Sequence, residues 1–464
     1  MKNREWLSAR RIVRLGMFLA LVAGALPAAA QDTHYWYDQF GNRALLLSGA
    51  VVGDPRDLSA VYYNPGGMAL MERAELLLAG VVLNLAGTRI ADAVGEGGDL
   101  SNRTFDLAPS LIAGEIPIER PNHRFAYSYL TRHSAGLRAF AKSDLSSADF
   151  GLPDLKLLSN SLLIDTKLRE HWAGGTWAYR LAPGWGVGAS TFLAMRSQRS
   201  LLINNVQLLN ASNQAAIAAV TNAYDFSTVR LLWKIGVAGH FQRWDVGITV
   251  TTPGLGLFGG GETSTNLTIV GQTVDDEGKP ITEIATNVQT GLPAEYRSPA
   301  SIAVGAARTF GSTTVHLSGE YFHSVAPYAV VDSQPFIGQT SGEELDTAVI
   351  QALDGVFNVA MGLEKVFSDD LRAYLGFHTD FNAASEDPRA NLSVTKWDFY
   401  HVSGGATFRI GEEHFTLGAD LAFANNAIEV PEDDPFRPVG FPDQTDVSAF
   451  KVTILLGFNF AFGS

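Results

Sequence analysis

The sequence predicts an all-β protein: a transmembrane, up-and-down antiparallel β-barrel of about fourteen strands whose N-terminal segment forms a plug in the lumen. Three observations predict it. From about residue 74, apolar and polar residues alternate over many segments that end in turn residues. Many of these segments outrun the ~5–6 residues usual in globular sheets and reach the ~9–11 that a tilted strand needs to cross a bilayer. Past residue 30 there is no run of about 18 uninterrupted apolar residues, so a closed barrel with every backbone group paired is the remaining route through lipid.

Residues 1–30 read as an export signal. Arg10, Arg11 and Arg14 make a basic start, Leu15 to Leu26 a short apolar core, and Ala28-Ala29-Ala30 a small-residue cleavage site before Gln31. The chain carries a net charge of −14, and losing Lys2, Arg4, Arg10, Arg11 and Arg14 with only Glu5 makes the mature chain more acidic. That balance argues against nucleic acid as a partner. The absence of cysteine excludes disulfides, thiolate metal sites, a thiol nucleophile and a lipoprotein anchor.

Residues 31–73 are assigned to the plug. They begin with the aromatic cluster Tyr35-Trp36-Tyr37-Asp38-Gln39-Phe40 and end in a turn at Asn64-Pro65-Gly66-Gly67. Pro65 fixes its own φ and pushes Asn64 out of the helical region, while Gly66 and Gly67 tolerate positive φ. The turn hands the chain into the apolar strand Glu75 to Leu85.

The barrel is assigned to residues 74–464. In its last segment Val452, Ile454, Leu456, Phe458, Phe460 and Phe462 face one way, and Lys451, Thr453, Gly457 and Asn459 the other. Segments 354–367, 370–384, 397–410 and 413–430 repeat the pattern. Earlier strands are placed near 74–91, 104–118, 122–142, 160–181, 184–204, 225–243, 244–271, 281–309 and 312–332. Short turns such as Phe310-Gly311-Ser312 and Ser368-Asp369-Asp370 are assigned to the periplasmic side. Residues 143–159, 205–224, 333–352, 385–392 and 431–445 are assigned to the outside. Val206 to Ala223 and Glu343 to Leu353 read as helical, and the acidic run at 431–435 as solvated loop.

Asp57, Ser59, Ala60, Asn64, Pro65 and Gly66, just after an export signal, resemble the plug of the long-chain fatty acid transporter (FadL/TodX-like) family of outer-membrane proteins. Gly66 stands where the family usually has Ala. Gly291-Leu292-Pro293 before the strand at 297–309 is similarly placed, whereas the chain ends on Gly463-Ser464 instead of an aromatic residue. The resemblance implies that ligand is captured near the outer rim, contacts the mature N-terminus and leaves sideways through a gap made by a kink in the third strand. Gly136 is the glycine placed to favour that kink. Tyr35, Trp36 and Phe40 either contact an apolar ligand or pack against the barrel wall.

No enzymatic constellation emerges. His401 and Ser403 share the polar face of one strand, with no orienting Asn or Asp identifiable from sequence. The ten histidines lack metal-ligand spacing, so neither a metal nor a cofactor is expected. The expected function is passive, plug-gated uptake of a hydrophobic small molecule, such as a long-chain fatty acid or an aromatic hydrocarbon, by a monomer among outer-membrane lipids. The alternatives are a barrel of the same architecture that docks or assembles exported proteins, and a general porin.

Overall fold

The computed structural model describes residues 33–71, 74–94, 97–145, 155–270, 282–392, 397–411, 413–429 and 444–462. The export signal at 1–30, the acidic run at 431–435 and the terminal Gly463-Ser464 lie outside the described residues.

The strands follow in order: β1 (Ala74–Ile90), β2 (Leu100–Ile116), β3 (His123–Leu145), β4 (Leu155–Ala182), β5 (Trp185–Asn210), β6 (Ala215–Phe241), β7 (Trp244–Thr251), β8 (Leu255–Val270), β9 (Glu283–Pro293) and β10 (Ser301–Phe310). They continue as β11 (Thr313–Phe322), β12 (Val325–Val331), β13 (Phe336–Ile337), β14 (Glu344–Leu345), β15 (Val349–Leu353), β16 (Val356–Ser368), β17 (Leu371–Asp380), β18 (Phe399–Ile410), β19 (Glu413–Glu429) and β20 (Gln444–Phe462). β1 pairs with both β2 and β20, from Ala74 opposite Phe462 to Ile90 opposite Val447, and this closes the wall. β6 pairs with β7 and then β8, so these two form one stave bent at Thr252-Pro253-Gly254. β9 and β10 form a second bent stave, interrupted between Pro293 and Ser301. The result is a closed antiparallel barrel of fourteen staves.

The turns Pro183-Gly184, Gln242-Arg243, Gly311-Ser312 and Asp369-Asp370 gather at the end where Ala74 meets Phe462. Gly184 and Gly311 take φ of 79° and 61° there, a backbone region that favours glycine. Outward residues are apolar and exposed, among them Leu107, Phe140, Ile235, Val304, Leu317, Met361, Leu375, Leu421 and Phe458. Trp177, Trp185, Phe241, Trp244, Phe310 and Phe367 add an exposed aromatic girdle near the turn end. An apolar surface of this extent is a liability in water and suits hydrocarbon. No helix among the described residues is long and apolar enough to cross a membrane.

Both segments expected to be helical are extended. Residues 206–223 continue β5 and β6 into one long hairpin, with Val206 opposite Ala218 and Asn204 opposite Val220. Cross-strand pairing outweighs the helix propensity of the alanines there. Residues 343–353 contribute instead to two small sheets, β13 with β14 and β12 with β15. The barrel ladder also stops at Phe322, so residues 325–331, expected to continue that strand, belong to the β12–β15 sheet.

Residues 33–71 occupy the interior. They form short helices at Asn42–Leu46, Ala60–Tyr63 and Pro65–Leu70. Leu46, Leu47, Leu58, Val61 and Met68 are fully buried against wall residues such as Leu77, Leu111, Phe192 and Leu455. Each such side chain contributes about 1.5–3 kcal/mol relative to exposure.

Candidate functional site

Inward positions of the wall are small where the lumenal segment presses against it. Asn64 is extended, with φ −159°, and its Oδ1 accepts from the Gly66 amide at 3.2 Å. Its Nδ2 donates at 2.9 Å to the carbonyls of Val52 and of Val237 on β6, which pins the turn to the wall. Pro65 opens the 3-10 helix, where its missing N–H costs nothing. Gly66 and Gly67 do not take positive φ, contrary to the reading from sequence. Close approach is the reason for Gly66: a Cβ there would lie 2.7 Å from the carbonyl oxygens of Gly186 and Gly236.

Arg43 forms the main polar anchor. Its Nε and Nη2 donate to Glu364 of β16 at 2.9 and 2.7 Å, and its Nη1 donates to the Asp54 carbonyl at 2.7 Å. Burial alone would lower its pKa, but Glu364 and Asp54 outweigh that and hold the guanidinium charged well above its usual value. Two staves along the wall, on β18, Ser403 bonds Ser48 Oγ at 2.7 Å and donates to the Leu46 carbonyl at 3.0 Å. Ser403 is therefore an anchor for the lumenal segment. An orienting carboxylate does exist for His401, namely Asp420 at 2.9 Å, but Ser403 is engaged elsewhere. The histidines are likewise not all scattered, because β17 and β18 set His378 beside His401.

The three aromatic candidates lie between barrel wall and interior. Tyr35 stacks on Phe322 with centroids 4.2 Å apart. Trp36 is fixed by Nε1 donating to Glu320 at 2.8 Å and its amide donating to Asp380 at 2.9 Å. Phe40 packs on Tyr62 at 4.5 Å. Tyr35 and Phe40 each line a cavity.

The first cavity, lined by Phe40, Leu45, Ala108, Pro109, Thr131 and Ser134 among others, adjoins a break in the wall. β2 and β3 pair from Leu111–Leu130 to Ile116–Phe125 and again at Ser101–Phe140, but Asn102–Ser110 and Thr131–Ala139 form no ladder pairs with each other. Side chains partly span this stretch: Ser134 Oγ donates to Asp106, and the Arg138 amide donates to Asn102 Oδ1 at 3.4 Å. Pro109 sits in it and cannot donate a ladder bond. Where β3 leaves β2, its register with β4 shifts between Thr131 and His133, and Thr131, Arg132 and His133 are all buried. Gly136 lies within the unpaired stretch, opposite Lys167 of β4, where an added Cβ would be in ordinary contact with the Thr166 carbonyl oxygen at 3.6 Å. Pro109 was a signal present in the sequence and not used.

The second cavity is charged. Arg196 and Arg230 reach Glu170 at 3.1 and 2.6 Å and lie over the Tyr296 ring at 3.7 and 4.6 Å. Arg132, Lys234 and Glu320 complete its charged lining, so four cations face two carboxylates. Such a wall suits an anionic or strongly polar group above an aromatic floor.

No family model matches the chain, and no curated protein matches it. Solved structures do. A Pseudomonas aeruginosa FadL homologue is similar with a TM-score of 0.56 at 12% identity, over 93% of this chain and 100% of its own. The P. putida toluene transporter TodX is similar with a TM-score of 0.57 at 12% identity, over 92% and 99%. This chain has the FadL-type fold. The Ralstonia pickettii toluene transporter TbuX matches the FadL-type fold here as well, with a TM-score of 0.53 at 14% identity over 92% of this chain and 99% of its own.

Proposed function

We propose that the chain is a monomeric outer-membrane channel for passive uptake of hydrophobic small molecules, exported by the signal at 1–30 and gated by residues 31–73 acting as a plug. The observation that carries this reading is the unpaired stretch between β2 and β3 beside a cavity lined by the plug. Apolar solutes are stopped by a polar outer leaflet and partition poorly through a watery pore. A path that leaves the lumen sideways delivers them into the hydrocarbon, and Phe105, Leu107 and Phe140 present an apolar exterior along that exit. Plug movement that opens the path needs only a ligand that binds the open arrangement better. Solved structures of the same fold include channels described as toluene and monoaromatic hydrocarbon transporters, which supports a hydrophobic cargo. The excess of cations over carboxylates in the second cavity favours a long-chain carboxylate over a neutral arene. The chain is read as a channel and not an enzyme.

Liposomes carrying the purified protein test the proposal. Labelled long-chain fatty acid is expected to enter faster than in protein-free liposomes, with toluene competing weakly. Entry of neither compound, with the barrel folded, would overturn it.

A further inference from the structure

We infer that His378, His401 and Asp420 form a binding site for a divalent first-row transition metal, set between the barrel wall and the lumenal segment. Strand pairing builds the site. β17 and β18 put His378 directly opposite His401, and β18 and β19 put Ser403 opposite Asp420, one inward position along from His401. The imidazole rings stack with centroids 4.0 Å apart. All three residues are buried, the histidines completely. One ligand atom from each residue lies within 4.8 Å of those from the other two.

Hydrogen bonds fix how each group presents itself. His378 Nε2 lies 3.1 Å from the Trp36 carbonyl, so that nitrogen carries the proton and Nδ1 keeps its lone pair. His401 Nδ1 donates to Asp420 Oδ2 at 2.9 Å, which leaves Nε2 with its lone pair. His378 Nδ1, His401 Nε2 and Asp420 Oδ1 have no hydrogen-bond partner, although all are buried. Leaving such atoms unpaired is costly, and a cation satisfies lone pairs that no donor reaches. The contact to the Trp36 carbonyl is of the kind that orients metal-bound imidazole.

The donor set decides the class of ion. Two imidazoles and a carboxylate suit zinc, cobalt, nickel or iron, whereas calcium and magnesium prefer oxygen alone. Metal–donor distances of about 2.0–2.2 Å require the stacked imidazoles to turn out of their parallel arrangement and the His401–Asp420 hydrogen bond to open, so that all three groups point at one ion. The neighbouring Lys451 is already engaged, with Nζ 2.5 Å from Asp38 and 2.8 Å from the Tyr37 carbonyl. Because His378 also holds the Trp36 carbonyl, an ion here ties the wall to the lumenal segment.

The test uses the full chain in detergent, stripped with chelator and titrated with Co2+ and Zn2+. One equivalent of Co2+ is expected, with visible d–d absorption that Zn2+ abolishes. His378→Gln, His401→Gln and Asp420→Asn are each expected to weaken binding by at least about 10–100-fold, the loss seen when even outer partners of a metal site are removed. His323→Gln, at an exposed position, is expected to leave it unchanged. Asp420→Asn preserves volume and a carbonyl acceptor, and heat-modifiable migration on gels confirms a folded barrel in each variant. Absence of binding by the unaltered chain overturns the inference without reference to any variant. So does binding that survives all three substitutions. Neither result bears on uptake of hydrophobic solutes.

Discussion

Arg43 shows how much of the lumenal arrangement rests on single side chains. It places one buried guanidinium between Glu364 of the wall and Asp54 of its own segment, with ion-pair distances of 2.7 and 3.0 Å. Arg43→Ala leaves both carboxylates buried, with Glu364 retaining only the half-exposed Arg372 at 3.4 Å and Asp54 only the half-exposed Arg56 at 2.6 Å. Removing one member of such a group costs about 3–5 kcal/mol. The barrel ladders do not involve Arg43, so the loss is expected in the seating of residues 33–71 and not in closure of the wall. Hydrogen exchange in that segment is expected to rise while heat-modifiable migration stays the same. Unchanged exchange would show that apolar packing alone holds it. Arg43→Lys is expected to recover only part, since an ammonium cannot fork between two carboxylates.

At the level of the element, the strands were legible wherever one face meets hydrocarbon, because alternation there is forced at every second residue. The five segments from 354 to 462 match their expected faces, with Leu456 and Phe458 outside and Lys451 and Thr453 inside. The hairpin tip at 206–223 was not legible, because beyond the lipid nothing compels alternation and alanine-rich sequence looks helical. The turn at Asn64-Pro65-Gly66 was visible for a partly mistaken reason: its glycine answers to the carbonyls of Gly186 and Gly236, which belong to distant strands. His378, His401 and Asp420 were invisible for the same reason, since only strand register brings them together. The break between β2 and β3 gives a prediction at this scale. Ser134 already bonds Asp106 across it, and the chain has no native cysteine, so Asp106→Cys with Ser134→Cys introduces a single oxidisable pair. Oxidation is expected to abolish fatty acid entry into liposomes, and reduction to restore it. Full uptake by the oxidised protein would place the exit elsewhere.

At the scale of the whole molecule, a barrel of fourteen staves is wide enough to conduct ions unless its lumen is filled. Here the filling is a continuous segment, held at Asn42 to Asn459, Arg43 to Glu364, Ser48 to Ser403 and Asn64 to Val237, so its anchors reach walls on opposite sides. None of those bonds belongs to the ladders that close the barrel, and β1 still meets β20 when the segment is taken away. Deleting residues 33–71 while keeping residues 1–32 is therefore expected to leave a folded, heat-modifiable barrel with a large steady conductance in planar bilayers. The intact chain is expected to show little or none. Inward glycines such as Gly236, Gly418 and Gly457, which make room for Asn64, Leu46 and Asn42, would line the emptied lumen and leave it wide. Equal conductance before and after deletion would mean that ions pass around the segment, and the gating role assigned to it would fall with that result.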